Sequence, residues 1–207
     1  MPLPHRPGPR PSTTPTNPHT QLDQQPADQR QRDQLAAVLF ALAGVEERPS
    51  LISVPGARAL WLAEEVGGPP EAFMVGNEFA HLHPGPDQSL HAMLPPDLAT
   101  EAIDAGWAEQ HPVARRGLIA PNAVMIYAPR DDFERGVVEE LVRAAHAFAR
   151  GDHSRITLVP QGFLPISACS GPSNTCAPPH LCVGSVTVTP PRQRKTIEAS
   201  ESTEWKP

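Results

Sequence analysis

Hydrophobic and polar positions follow two different periods in the central part of this 207-residue chain. A period near 3.6 predicts one helix over residues 28–44, a second over residues 96–105, and a third that starts at Asp131 and ends at Gly151. Glu134 follows Asp131 at the spacing of a capping box, which is typical of a helix start.

A period of two predicts the strands. The clearest alternation is in the hairpin, at residues 78–83 and 89–94, and short strand-like runs predict further strands at residues 51–54, 59–63, 107–111 and 123–128. Residues 60–62 are also compatible with a helix. Because helices and groups of strands take turns along the chain, the sequence predicts an α+β fold, with a mainly antiparallel sheet and helices packed on one side.

The two ends of the chain differ in composition from its middle. Residues 1–27 are rich in Pro, Thr, Gln and His and nearly free of large apolar side chains, which predicts a disordered segment because little burial offsets the ordering entropy. Residues 153–207 are dominated by Pro, Ser, Thr and Cys and predict a disordered tail. The folded α+β domain is therefore expected at residues 28–152.

Charge and composition exclude several partners. Residues 35–152 contain 17 acidic side chains and 8 arginines, and the resulting net charge of −9 argues against nucleic acid as a partner. No apolar run reaches the about 18 residues needed to span a bilayer, and the N-terminus lacks a signal-peptide pattern, so no membrane association is expected. The 3 cysteines all lie in the tail, which favours a cytoplasmic protein without disulfides.

The segment with the clearest chemistry is the predicted hairpin over residues 78–94. Its register is set by keeping one face uniformly apolar, since a one-residue slip would mix polar and apolar side chains on both faces. The expected pairs are Ala80 with Ala92, His81 with His91, Leu82 with Leu90, and His83 with Ser89. The opposite face then carries His81, His83 and His91, with Phe79 beside Met93.

Three imidazoles on adjacent strands could bind a divalent metal, because histidine-rich sites with an open position suit Zn, Fe or Cu. The metal ligands would be His81, His83 and His91, and His111 is a candidate for a fourth. Imidazole also titrates near neutral pH, so the same residues are candidates for acid–base chemistry. The alternative is that they form a polar strand face with no function.

Other candidates lie outside the hairpin. Arg130 follows a predicted strand and precedes a helix, a place where ligands often bind, although it could equally pair with a nearby acid. His146 lies off the apolar face of the last helix and is expected in solvent. In the tail, Cys176, His180 and Cys182 give only a weak zinc pattern. The sequence has no phosphate-binding loop, no dinucleotide-binding glycine motif and no nucleophile elbow, and it leaves the cofactor unknown.

Several strings in this part of the chain resemble the small luciferase-domain family of bacteria and fungi. They are EFAHLHP from Glu78, SLH from Ser89, GWAEQHP from Gly106, and YAPRDD from Tyr127. The resemblance covers about residues 44–151 and places His81, His83, His91, His111 and Arg130 at positions that recur in the family. The family's name implies light-producing oxidation, but the resemblance assigns no role to a particular residue.

Three functions remain open at this stage. The first is a binding module in which the histidines and their apolar neighbours hold a small molecule. The second is a metal- or histidine-dependent enzyme, of oxidoreductase type, that acts on a small organic substrate. The third is a non-catalytic domain that contacts a protein partner. The sequence favours the first and does not settle whether the chain is an enzyme.

Overall fold

The computed structural model describes residues 2–63 and 67–152. Within these residues six strands form one sheet: β1 (Val45–Pro49), β2 (Arg58–Leu62), β3 (Glu78–Leu82), β4 (Leu90–Met93), β5 (Ala108–Gln110) and β6 (Ala123–Ile126). The helices are α1 (Arg30–Leu39), α2 (Pro96–Asp104), the single turn α3 (Pro112–Arg115) and α4 (Asp132–Arg150), with a short 3-10 helix at Pro70–Ala72.

The strands lie in the order β1-β2-β3-β4-β6-β5, and every neighbouring pair is antiparallel. The predicted α+β fold with an antiparallel sheet is therefore confirmed. One edge strand, β1, carries Glu46, Glu47 and Arg48, all exposed. Charged side chains of this kind discourage pairing of a sheet edge with another chain.

Helices α1, α2 and α4 pack on one face of the sheet, as predicted. Leu60 and Ile126 from the sheet, Leu39 from α1, Ala102 from α2 and Leu141 from α4 belong to one apolar core and are completely buried. Burying an aliphatic side chain of this size stabilises the fold by about 1.5–3 kcal/mol. The main core is thus on the helical face, and the opposite face is free to hold polar groups.

The last helix begins and ends as its sequence predicts. The Asp131 carboxylate accepts a hydrogen bond of 2.8 Å from the backbone N–H of Glu134. Gly151 ends the helix with a φ of 75°, a left-handed conformation that favours glycine. These two caps fix the position of α4, which contacts both β3 and β4.

Two predicted elements differ from the structure. Residues 51–54 form a loop, in which Leu51 and Ile52 are 68% and 54% exposed, and the strand lies earlier, at β1. The prediction was wrong because the apolar side chains of Leu51 and Ile52 lie at the surface of a loop, whereas the strand that forms, β1, is a charged edge of the sheet. The first helix ends at Leu39 and not at residue 44.

Residues 2–27, predicted to be disordered, lie in the structure against the folded domain. We call these residues the N-terminal segment. Its backbone and side chains bond to buried groups of the domain: the indole N–H of Trp107 donates to the Pro4 carbonyl, and the N–H of Ala128 donates to the Gln21 side chain at 2.8 Å. Hydrogen bonds, and not apolar burial alone, hold this segment, which is why a composition poor in apolar residues did not predict it.

His146 is also placed differently from its prediction. It is buried, its Nε2 lies 2.9 Å from the Ala43 carbonyl, and its ring lies against Phe79.

Within the described residues, no helix combines the length and the apolarity needed to cross a membrane. The predicted tail, residues 153–207, lies outside the described residues.

Candidate functional site

The β3–β4 hairpin has the predicted register. The observed pairs are Ala80 with Ala92, His81 with His91, and Leu82 with Leu90, and the N–H of His83 donates to the carbonyl of Ser89 at 3.1 Å. The apolar side chains of the hairpin therefore join the core on the helical face. His81, His83 and His91 share the opposite face, and each is at most 5% exposed.

A β-bulge in β3 changes the neighbours of these histidines. Leu60 of β2 pairs with Ala80, but Trp61 pairs with Glu78, so Phe79 is the extra residue. Phe79 consequently packs in the core of the helical face, and not beside Met93 as predicted. In its place, Glu78 lies on the histidine face.

Three imidazole nitrogens meet at one point on this face. The Nδ1 of His91 lies 3.0 Å from the Nε2 of His81 and 3.1 Å from the Nε2 of His83. The ligand atoms of the three residues are all within 4.8 Å of one another. The structure therefore brings together the three residues predicted as metal ligands.

The outward-facing nitrogens of two of these rings bond to carboxylates. The Nδ1 of His81 lies 2.8 Å from Glu78, and the Nδ1 of His83 lies 2.7 Å from Asp87. Glu78 is itself held by the hydroxyl of Ser50 at 2.8 Å. A carboxylate partner fixes which ring nitrogen carries the proton, so both rings turn an unprotonated Nε2 inward.

The third ring, that of His91, contacts a histidine that was not predicted from the sequence. The Nε2 of His91 lies 3.1 Å from the Nδ1 of His19, and the Nε2 of His19 lies 2.5 Å from the carboxylate of Glu109. His19 comes from the N-terminal segment, and no local pattern of that segment indicates a partner 72 residues away. The only signal in its sequence was the histidine itself.

His111 completes what we call the histidine cluster: His19, His81, His83, His91 and His111. Its ring centroid lies 4.7 Å from that of His91 and 5.1 Å from that of His19. The Nδ1 of His111 accepts a 3.1 Å hydrogen bond from the N–H of Val113 at the start of α3. That bond occupies the Nδ1 lone pair, so in the neutral ring the proton is on Nε2.

Burial favours the neutral form of His81, His91 and His111. It lowers the pKa of His81 and, together with the neighbouring imidazoles, sets the pKa of His91 well below its ordinary value. Burial and the nearby His19 lower the pKa of His111 to about 4.

The carboxylates of the site respond to burial in the opposite sense. For Asp87, burial acts to raise the pKa, but hydrogen bonds from His83 and Ser89 outweigh it, and the pKa of Asp87 is lowered. Burial likewise acts against the charge of Glu109, and the hydrogen bond from His19 overcomes it, so that the pKa of Glu109 is lowered as well. Asp87 and Glu109 therefore favour their ionised forms beside the cluster.

The histidine cluster opens into a cavity of about 760 Å³. All five histidines contribute to its lining. The larger apolar side chains of the lining are Ile52, Val54, Phe73, Met74, Met93, Val113, Ile119 and Val124. The cavity thus has apolar walls and one imidazole-rich end.

Arg130, the remaining predicted ligand-binding residue, lies outside this cavity. Its guanidinium bonds to Glu134 and to the Pro7 carbonyl, and Glu134 also lies 3.6 Å from Arg6. The structure therefore gives Arg130 a role in joining α4 to the N-terminal segment. The tail residues Cys176, His180 and Cys182 lie outside the described residues.

Comparison with known proteins finds relatives for the segment that carries four of the five histidines. Residues 76–145 match the family described as Luciferase domain. A luciferase of Armillaria mellea is 34% identical over 83 residues, which are 39% of this chain and 31% of that protein. A luciferase of Neonothopanus nambi is 35% identical over 77 residues, 36% of this chain and 29% of that protein. No solved structure matches the chain significantly.

The matched segment contains most of the site but not all of it. His81, His83, His91 and His111 lie within it, and His19 precedes it. The chain matches about a third of the length of these luciferases. Over residues 76–145 this chain is therefore similar to the family described as Luciferase domain.

Proposed function

We propose that this chain binds a small organic molecule in the cavity beside the histidine cluster. The observation that carries the proposal is the cavity itself, about 760 Å³ with apolar walls and convergent polar groups at one end. Small-molecule sites in proteins occupy about 300–1,000 Å³ and combine mostly apolar walls with a few placed polar groups.

The walls favour a ligand with a flat or aromatic body. Phe73, Met74 and Met93 line the cavity, and a thioether beside an aromatic ring adapts well to flat apolar ligands. Ile52 and Ile119, which are 54% and 42% exposed, line it as well. Exposed apolar side chains around a concave site are typical of a ligand entrance.

The histidine end favours an oxygen-bearing group on that ligand. In its neutral form, His111 has an Nε2–H that can donate a hydrogen bond to a carbonyl or phenolic oxygen. The inward nitrogens of His81 and His83 can accept one from a hydroxyl. An aromatic hydroxy or carbonyl compound satisfies both the walls and the polar end.

A histidine-dependent enzyme of oxidoreductase type is the second candidate. What favours it is that the polar end of the cavity consists of imidazoles, several of them bonded to carboxylates, whose unprotonated nitrogens can accept a proton from a bound molecule. The relatives are named luciferases. Since this chain matches only about a third of their length, their activity is a proposal for it and not a finding.

Ligand binding can be tested with the full-length chain and a library of small aromatic hydroxy compounds, screened by saturation-transfer NMR. Val113→Phe should weaken binding of the compounds that bind the wild type, because the larger ring fills part of the cavity. Leu98→Phe is the matched control: Leu98 is also half-buried, but it lies in α2 and does not line the cavity.

Equal binding to both variants, or no binding to the wild type, would contradict the proposal. Each compound that binds is then incubated with the wild-type chain and with His111→Ala, and recovered for mass spectrometry. A compound changed only by the wild type favours the enzyme, and a compound recovered unchanged from both favours the binding module.

A further inference from the structure

We propose that His81, His83 and His91 bind one divalent transition-metal ion at the imidazole-rich end of the cavity. This site goes beyond the proposed ligand binding and does not depend on it. Three independent features carry the inference: the spacing of the nitrogens, the direction of their lone pairs, and the surrounding charge.

The spacing of the nitrogens suits a metal ion. Zinc binds imidazole nitrogen at about 2.0–2.1 Å, so two nitrogens on a tetrahedral ion lie about 3.3 Å apart. The Nδ1 of His91 is 3.0 Å from the inward nitrogen of His81 and 3.1 Å from that of His83. Small adjustments of the rings therefore suffice to place one ion among them.

Hydrogen bonds set the lone pairs of two rings toward this point. His81 donates from Nδ1 to Glu78, and His83 donates from Nδ1 to Asp87. In neutral rings the inward Nε2 atoms then carry no proton. Metal-bound histidines in proteins are commonly oriented by a carboxylate on the second nitrogen in this way.

The third lone pair is set through His19. The Nε2 of His19 donates to Glu109, so the Nδ1 of a neutral His19 is an acceptor. His91 must then donate to it from Nε2, which leaves the Nδ1 of His91 unprotonated. Three buried lone pairs thus converge with no proton between them, an arrangement that a cation stabilises.

The second group of neighbouring histidines lacks this property. It consists of His19, His91 and His111, whose ligand atoms are also within 4.8 Å. However, the neutral His111 has its proton on Nε2, and His19 and His91 share one proton between them. These tautomers favour His81, His83 and His91 as the site.

The charge around the site suits a divalent cation. Glu78 and Asp87 lie directly behind the ligands, and Glu109 lies behind His19. A buried ion needs compensating charge nearby, and these carboxylates supply it. Imidazole ligands suit Zn, Fe, Co or Cu, and three of them leave at least one position open toward the cavity.

The test uses the full-length chain without a histidine tag, treated with a chelator and then titrated with Zn²⁺ and, separately, with Co²⁺. We expect one ion per chain by elemental analysis and a visible Co²⁺ absorption that reports nitrogen ligands. His83→Ala should abolish stoichiometric binding. Asp87→Asn should weaken it by about 10- to 100-fold, because it removes the charge that orients His83.

Two variants serve as controls. His146→Ala removes a buried histidine far from the cavity lining, and the double variant Cys176→Ser/Cys182→Ser removes thiols of the tail. Both should keep the ion.

The proposal is overturned if the wild type binds neither ion stoichiometrically, if binding survives His83→Ala, or if the tail variant loses it. Circular dichroism establishes that each variant is folded. Should His83→Ala not fold, the affinity of Asp87→Asn decides. No organic ligand is present, so the outcome is separate from that of the ligand screen.

Discussion

Replacing Gln21 by Met tests whether the N-terminal segment contributes to the stability of the fold. The Gln21 side chain is buried, and its carbonyl oxygen accepts a 2.8 Å hydrogen bond from the N–H of Ala128. Ala128 is completely buried and follows β6, close to the site. Methionine keeps the length of the side chain but removes the oxygen.

The expected loss in the free energy of unfolding follows from the burial of the Ala128 N–H, which loses its acceptor. Leaving a buried backbone donor unsatisfied costs about 1–3 kcal/mol, and the methionine side chain fills the space that a replacement water would need. With a denaturant dependence of about 2 kcal/mol per molar urea, a loss of 2 kcal/mol lowers the unfolding midpoint by about 1 M.

Urea unfolding followed by far-UV circular dichroism measures this loss. The matched control is Gln34→Met, since Gln34 is exposed on α1 and a surface change of this kind is expected to stay within about 0.5 kcal/mol. If Gln21→Met and Gln34→Met unfold at the same urea concentration, the segment does not contribute to stability and its docking is refuted.

Two further predictions concern buried charges. Glu134→Ala should destabilise the chain by about 3–5 kcal/mol in thermal or urea unfolding, because it leaves the buried guanidinium of Arg6 without its carboxylate. Glu139→Ala, which removes the partly exposed ion pairs with Arg135 and Arg143, should cost under about 1 kcal/mol. Burial lowers the pKa of His146, so the unfolded chain binds a proton below the ordinary pKa of 6.5 while the folded chain does not. Stability should therefore fall as the pH drops below 6.5, and His146→Gln, but not the exposed His5→Gln, should flatten that decline when unfolding is measured with chelator present.

The register of the β3–β4 hairpin was predictable because apolar and polar side chains alternate along both strands. Ala80, Leu82, Leu90 and Ala92 form one apolar face only in the observed pairing, and any slip would bury polar groups. The placement of three histidines together then followed without further information.

The bulge, the part played by His19 and the burial of His146 could not be predicted from the sequence. Nothing local in β3 marks Phe79 as an extra residue, since neither glycine nor proline accompanies it. His19 reaches the site through contacts distant in sequence, and its segment has a composition usually found in disordered chains. His146 was assigned to solvent because the pattern of α4 does not reveal that the turn after α1 covers it.

The bulge in β3 has a consequence for how this strand tolerates change. With strict alternation, residues 78 and 79 would exchange sides, so that the carboxylate of Glu78 would enter the apolar interior beneath α4 and the Phe79 ring would displace it from His81. Deleting Phe79 would instead restore the alternation with Glu78 on the histidine face, and the core beneath α4 would lose an aromatic ring. A deletion at another position of β3 would move side chains between the core and the histidine cluster, so libraries that vary this chain should keep the length of β3 constant.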